Sequence, residues 1–247
     1  MALKTLLNYS PNFNSKKRLQ KEIKFIIFHY TGMKSESDAL SRLTEIQSEV
    51  SCHYLIKNNG EIVKVVPDLY VAWHAGKSSW KNYKSLNQNS IGIEITNPGH
   101  QHGYKKFTQK QITSLLRLSK FLIKKYNISS KNILGHSDIA VLRKKDPGEK
   151  FPWEYLSKNK IGIWHKINKQ DLIKNRKLKI SKIEENIFFR NLFKIGYSKK
   201  YSNDISKNRY LRKLAKTFQS RFRQELVDGK IDQECLIISK NLIKAYS

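Results

Sequence analysis

Apolar residues run without a break through Phe25-Ile26-Ile27-Phe28, so residues Lys24 to Tyr30 are expected as a strand buried on both faces, ending at His29, Thr31 and Gly32. Ala39, Leu40, Leu43 and Ile46 form a helical stripe over Asp38 to Gln47, with Asp38 as its expected cap. His53 to Lys57 and Glu61 to Val66 read as two strands of a hairpin closed by Asn58-Asn59-Gly60. From Ser90 to Thr96, Ile91, Ile93 and Ile95 alternate with Gly92 and Glu94, which predicts a strand with Glu94 on the face opposite the isoleucines. Thr108 and Gln111 form a capping box ahead of a helix whose buried face is Ile112, Leu115, Leu116, Leu122 and Ile123. Ile133-Leu134 makes a further short strand leading to His136. Strands interleaved with helices imply an α/β domain with a mixed central sheet flanked by helices.

The pattern changes after residue 165. Lys166, Lys169, Lys174, Arg176, Lys177 and Lys179 dominate a weakly periodic stretch, read as a basic linker over 166–181. Ile183, Ile187, Phe188, Leu192 and Phe193 then fit one helix ending at Gly196, and Leu211, Leu214, Ala215, Phe218 and Phe222 fit a second. Leu236, Ile237, Leu242 and Ile243 suggest a third after the Asp228-Gly229 turn. The expected organisation is therefore an α/β domain over 1–165, the linker, and a small three-helix domain over 182–247.

Lys and Arg number 48 against 20 Asp and Glu, a formal net charge of +28. Such a balance suits a polyanionic partner. The excess is lysine rather than arginine, however, and Asn and Ile are also abundant, as an AT-rich coding sequence would impose on solvated positions. Charge therefore assigns no specific nucleic-acid partner. Cys52 and Cys235 are far apart and form no CxxC pair, so neither a disulfide framework nor a thiolate zinc site is implied. No run approaches the roughly 18 apolar residues of a membrane span, and Met1 to Ser10 lacks the pattern of a secretory leader. The chain as given reads as leaderless, which leaves its compartment open.

Among seven histidines, position singles out two. His29 and His136 each follow an apolar strand and precede a polar turn, and neighbouring strands would bring them together with a carboxylate from Gly135-His136-Ser137-Asp138 or Lys144-Lys145-Asp146-Pro147-Gly148. Two imidazoles and a carboxylate are able to share one metal and leave a position open. Competing readings use other neighbours. Ser137 and Asp138 supply the parts of a serine triad, but adjacent residues cannot relay a proton in line, and no Gly-x-Ser-x-Gly elbow is present. His100 and His102 lie in a Gly- and Pro-flanked loop without a nearby carboxylate, so a solvated loop is expected. Cys52 beside His53 reads as a buried, inert thiol. Trp73-His74-Ala75-Gly76 has the make-up of a cleft wall for a flat sugar or peptide.

Several blocks fall in one order: His29-Tyr30-Thr31, Ser51 to Ile56, Ala72 to Gly76, Ser90 to Ile95, Gly135 to Ala140, Asp146-Pro147-Gly148 and Phe151-Pro152-Trp153. Over roughly residues 23–165 the chain thereby resembles the zinc-dependent N-acetylmuramoyl-L-alanine amidases of type 2, a family that includes phage lysozyme-like amidases and peptidoglycan recognition proteins. The helical region more loosely resembles the C-terminal peptidoglycan-binding module of lipoprotein-type members, through Ile195-Gly196-Tyr197, Thr217 to Arg223 and Asp228-Gly229. The resemblance implies one Zn2+ bound by His29, His136 and Asp146, Glu94 as general base, Lys144 as oxyanion partner, and Trp73 and His74 at the substrate. It implies peptidoglycan or its muropeptide fragments as substrate, in the periplasm or cell envelope, or in the cytoplasm if the leaderless start is authentic. Val141 stands where the family pattern has a proline. The rival expectations are a recognition module that binds wall without cutting it and, in a third class, a basic surface for nucleic acid. Nothing in the pattern fixes an oligomeric state.

Overall fold

The computed structural model describes residues 4–199 and 205–246. Its strands are β1 (Leu6–Leu7), β2 (Phe13–Asn14), β3 (Phe25–Tyr30), β4 (Tyr54–Ile56), β5 (Ile62–Lys64), β6 (Val71–Ala72), β7 (Ser79–Trp80), β8 (Tyr83–Lys84), β9 (Ser90–Ile95) and β10 (Ile133–Gly135). Its α-helices are α1 (Glu36–Thr44), α2 (Gln109–Tyr126), α3 (His136–Ile139), α4 (Trp153–Lys158), α5 (Lys169–Asn175), α6 (Lys182–Ile195), α7 (Lys207–Phe222) and α8 (Gln233–Tyr246). Six strands form one mixed sheet in the order β1-β5-β4-β9-β3-β10. Only the β4–β5 hairpin is antiparallel in it; the other pairings are parallel.

The unbroken apolar run of β3 follows from its position between two helical layers. Ile26 and Phe28 pack with Ile91, Ile93 and Ile95 against Leu115, Leu118 and Leu122 of α2. Phe25 and Ile27 point the other way, into a core shared with Phe188, Leu192, Leu214 and Phe218 of the C-terminal helices. His29 continues the Phe25–Ile27 face to the end of the strand, and on β9 the same face carries Ser90, Gly92 and Glu94. Polar residues at the C-terminal ends of these two central strands are thus turned towards one another.

One expectation changes. Asp38 does not cap α1: Ser35, in extended conformation, accepts from the Asp38 backbone N–H at 3.0 Å, which leaves Asp38 in the first turn beside the positive helix end. The basic segment 166–181 also carries structure of its own. It contains α5, capped by Asn168 and anchored by buried Leu172. Both Arg176 ends bond the buried Glu234 carboxylate at 2.7 Å, and the Lys177 N–H donates to Asp232 at 2.9 Å. One apolar anchor and a few ion pairs leave little periodicity, which is why the segment reads as a linker. The capping box at Thr108 and the three helices after residue 181 are present as expected. Among the described residues no helix is long and apolar enough to cross a membrane.

Candidate metal centre

Strand β10 lies beside β3, with Gly135 in register with Phe28, so the two chains deliver His136 and His29 to the same sheet edge. The loop after α3 returns Asp146 to them, and the Ser137 N–H donates to the Asp146 carbonyl at 2.8 Å. Both histidines and Asp146 are buried. His29 Nδ1, His136 Nδ1 and Asp146 Oδ2 form a near-equilateral triangle with sides of 2.9, 3.0 and 3.1 Å. Tetrahedral ligands at the ordinary Zn–N and Zn–O lengths of about 2.0–2.1 Å stand about 3.3–3.4 Å apart, so a small contraction separates this triangle from a bound set. Among the described residues, these three form the only group of His, Cys, Asp and Glu donors close enough to hold one metal ion.

The charges suit a cation. Burial, and then the neighbouring His136, lowers the His29 pKa to about 4, so the ring is neutral with a lone pair to give. Burial alone would raise the Asp146 carboxyl, but the His136 and His29 rings against it hold it well below the usual carboxylate range. Opposite the triangle, His136 Nε2 lies 3.2 Å from the Ala75 carbonyl, and His29 Nε2 lies 3.1 Å from His74 Nδ1. Outer partners of this kind orient metal-binding imidazoles.

Glu94 stands next to the centre, with Oε1 3.9 Å from His29 Nδ1. Burial, then repulsion from Asp146, raises its pKa to about 8, while Lys144 opposes the rise. Its Oε2 is buried and has no hydrogen-bond partner among the described residues. Lys144 is exposed, and its charge acts on both His29 and Glu94. His136, Asp146, Glu94 and Lys144 open onto one cavity of about 390 Å³, whose wall includes Trp73 and whose margin is cationic through Arg42, Arg143 and Lys145. The arrangement offers a proton acceptor, a cation and three metal donors in one cleft, which is what metal-assisted hydrolysis requires.

The structure therefore brings His29, His136, Asp146, Glu94, Lys144 and Trp73 to one site. His74 lines the same cavity from deeper in the fold. It is buried at the cavity wall, with Nδ1 against His29 and Nε2 3.2 Å from Ser90 Oγ, so both ring nitrogens already face protein groups. His100 also has a carboxylate beside it, contrary to the sequence reading: Nε2 lies 3.0 Å from Glu149, and Nδ1 lies 2.9 Å from the Tyr30 hydroxyl. Cys52 is buried, and its burial pushes the thiol pKa well up.

Asp138 has a structural role. Its carboxylate accepts from the Gly135 N–H at 2.8 Å and from the Tyr197 hydroxyl at 2.7 Å, and pairs with Arg221 of α7. Arg221 also donates to the Ile133 carbonyl at 3.0 Å and lies over the Trp153 ring at 4.3 Å. Helix α7 thus grips α3 two residues after His136. Val141, in place of the family's proline, packs into the same helical core. No sequence signal pairs Asp138 with a residue 83 positions away.

Comparison with known proteins follows this geometry. The family model described as N-acetylmuramoyl-L-alanine amidase matches residues 19–149. The N-acetylmuramoyl-L-alanine amidase AmiD of Escherichia coli is 34% identical over 236 residues, covering 91% of this chain and 83% of AmiD. The structure of AmiD in complex with anhydro-N-acetylmuramic acid-L-Ala-D-gamma-Glu-L-Lys superposes with a TM-score of 0.78 at 33% identity, covering 91% of this chain and 90% of that one. AmpDH3 of Pseudomonas aeruginosa, solved with an anhydromuramic pentapeptide, gives 0.79 at 29% identity over 96% of this chain and 97% of its own.

Proposed function

The chain belongs to the N-acetylmuramoyl-L-alanine amidase family, and from its site geometry we propose that it hydrolyses the amide between the lactyl group of N-acetylmuramic acid and the L-alanine of the stem peptide. Peptidoglycan and its muropeptide fragments are the substrates. The observation that carries this reading is the convergence of His29 Nδ1, His136 Nδ1 and Asp146 Oδ2 beside a carboxylate with an unpartnered buried oxygen.

Those three donors would hold one Zn2+: two imidazole nitrogens and one carboxylate are its usual catalytic set, with the fourth direction left open. When bound, the ion polarises the scissile carbonyl and lowers the pKa of water at the site. Glu94 receives the proton of the attacking water and returns it to the departing L-alanine nitrogen, whose release breaks the C–N bond. Without the ion, burial and then repulsion from Asp146 raise its pKa to about 8; a nearby dication would reverse that balance in favour of the carboxylate. Lys144 stabilises the oxygen that becomes negative in the tetrahedral state more than the flat amide, which is the differential interaction that speeds the step. Trp73 provides the apolar wall against which sugar or peptide lies.

A module that only recognised wall would need neither the buried base nor the open metal position. A nucleic-acid role finds no support in the site, whose cations surround a cleft containing Glu94 and Asp146. The test is to incubate the protein with purified muropeptides, with Zn2+ or with a chelator, and to follow free L-alanyl peptide by mass spectrometry. Release with Zn2+ and its loss on chelation are expected; no release under any metal condition would overturn the reading.

A further inference from the structure

His74 is placed too deliberately for a packing residue. It enters from a loop whose backbone is fixed by one side chain, since Asn87 Oδ1 accepts from the N–H groups of both His74 and Ala75, at 3.1 and 2.7 Å. Its ring then lies over Gly92 on β9. A Cβ on Gly92 would come within 2.4 Å of that ring, so the strand omits a side chain where the imidazole passes. Ser90, on the same face two residues earlier, meets the far side of the ring.

Hydrogen-bond accounting assigns every proton in this row. The Ser90 hydroxyl lies 2.5 Å from the Leu86 carbonyl and 3.2 Å from His74 Nε2. A carbonyl only accepts, so the single hydroxyl proton goes to Leu86 and the serine oxygen is left to accept from His74 Nε2–H. His74 is buried, and its two ring nitrogens meet an imidazole and a hydroxyl rather than a carboxylate, so nothing in its surroundings offsets a charge and the ring is neutral. With its one proton on Nε2, its Nδ1 is an acceptor, and His29 Nε2, 3.1 Å away, must be the donor. His29 is then obliged to present an unprotonated Nδ1 to His136 and Asp146.

We propose that His74 is a positioning residue of the metal centre: the series Leu86 carbonyl, Ser90 hydroxyl, His74 ring fixes His29 as the Nε2–H tautomer and so prepares its Nδ1 to bind Zn2+. The adjoining Ala75 carbonyl accepts at 3.2 Å from His136 Nε2, which turns Nδ1 of that ring towards the metal position. One short loop, held by Asn87, thereby reaches both imidazole ligands, orienting His136 and fixing the tautomer of His29. In this it rests on the metal-centre reading above, but the tautomer it requires exists in the metal-free protein.

The experiment combines two readouts. Side-chain 15N shifts of metal-free protein should show His29 protonated at Nε2 and not at Nδ1; the opposite tautomer in the wild type overturns the proposal. Zn2+ affinity, by competition with a chromophoric chelator, should fall by about 10–100-fold in Ser90→Ala, the range expected on losing an outer-shell partner. There the His74 proton is freed to move to Nδ1 and drive the His29 proton onto its metal-facing nitrogen. His74→Phe should fall at least as far, while His74→Asn, whose Oδ1 stands in for the accepting Nδ1, should stay within a few-fold of wild type. Folded Ser90→Ala and His74→Phe proteins that bind Zn2+ as tightly as wild type would refute it. Wild type that binds no Zn2+ would refute the metal-centre reading instead, and the 15N measurement would still decide the tautomer.

Discussion

Replacing Arg221 by Met should be among the most damaging single changes in the molecule, although it lies on a helix outside the catalytic cleft. Both partners of the Arg221–Asp138 pair are almost completely buried, with side chains 3% and 1% exposed. Without the guanidinium, Asp138 is left as a buried carboxylate that keeps the Gly135 N–H and the Tyr197 hydroxyl as donors. Breaking a buried pair from one side costs about 3–5 kcal/mol, a large part of the roughly 5–15 kcal/mol by which domains are stable. At about 2–4 °C per kcal/mol for a chain of this size, Tm should drop by roughly 6–20 °C. Urea unfolding of wild type, Arg221→Met, Asp138→Asn and the double variant closes a thermodynamic cycle. Because the neutral amide no longer needs the cation, the double variant should be at least about 1 kcal/mol more stable than additivity allows. A cost below about 1 kcal/mol for Arg221→Met, or strict additivity in the cycle, would refute the idea that α7 clamps the segment bearing His136.

Asp146→Ala should abolish stoichiometric Zn2+ binding, as measured by elemental analysis after dialysis, because two imidazoles alone remain. Gly92→Ala, with a methyl group directed at the His74 ring, should weaken Zn2+ affinity at least ten-fold (from the outer-shell range) without touching a ligand; chelator competition reads the change. In the metal-free protein the Glu94 pKa is raised to about 8 from an ordinary 4.5, so the folded state keeps a proton the unfolded chain has lost. Its contribution to stability is therefore complete below about 4.5 and disappears as pH rises to about 8. Glu94→Gln should flatten this part of the stability–pH curve, measured by denaturant midpoints across that range.

The sequence exposed most strongly whatever depends on periodicity. The run from Phe25 to Phe28 announced a strand between two layers, and the alternation from Ser90 to Ile95 placed Glu94 away from the isoleucines, because a strand's faces repeat every second residue. The same alternation held an unused signal: Ser90, Gly92 and Glu94 share a face, and the small middle residue marks the place where a ring crosses. Trp73 and His74 both line the cleft, but the sequence does not show that the His74 ring continues inward to His29 and Ser90. Asp138 and Arg221 meet through tertiary packing, which leaves no local pattern. Residues 166–181 carried too few apolar positions to reveal α5, whose attachment depends largely on Leu172 and on Arg176 with Glu234.

The central claim assigns metal holding to His29, His136 and Asp146 and proton transfer to Glu94, and one paired measurement separates those roles. Zn2+ content and the rate of L-alanyl peptide release from a muropeptide should be determined on the same preparations of wild type and Glu94→Gln. One Zn2+ per chain in both proteins, with turnover reduced by at least about 100-fold in the variant, is the predicted result. A Glu94→Gln protein that keeps its Zn2+ and still turns over at the wild-type rate would contradict it.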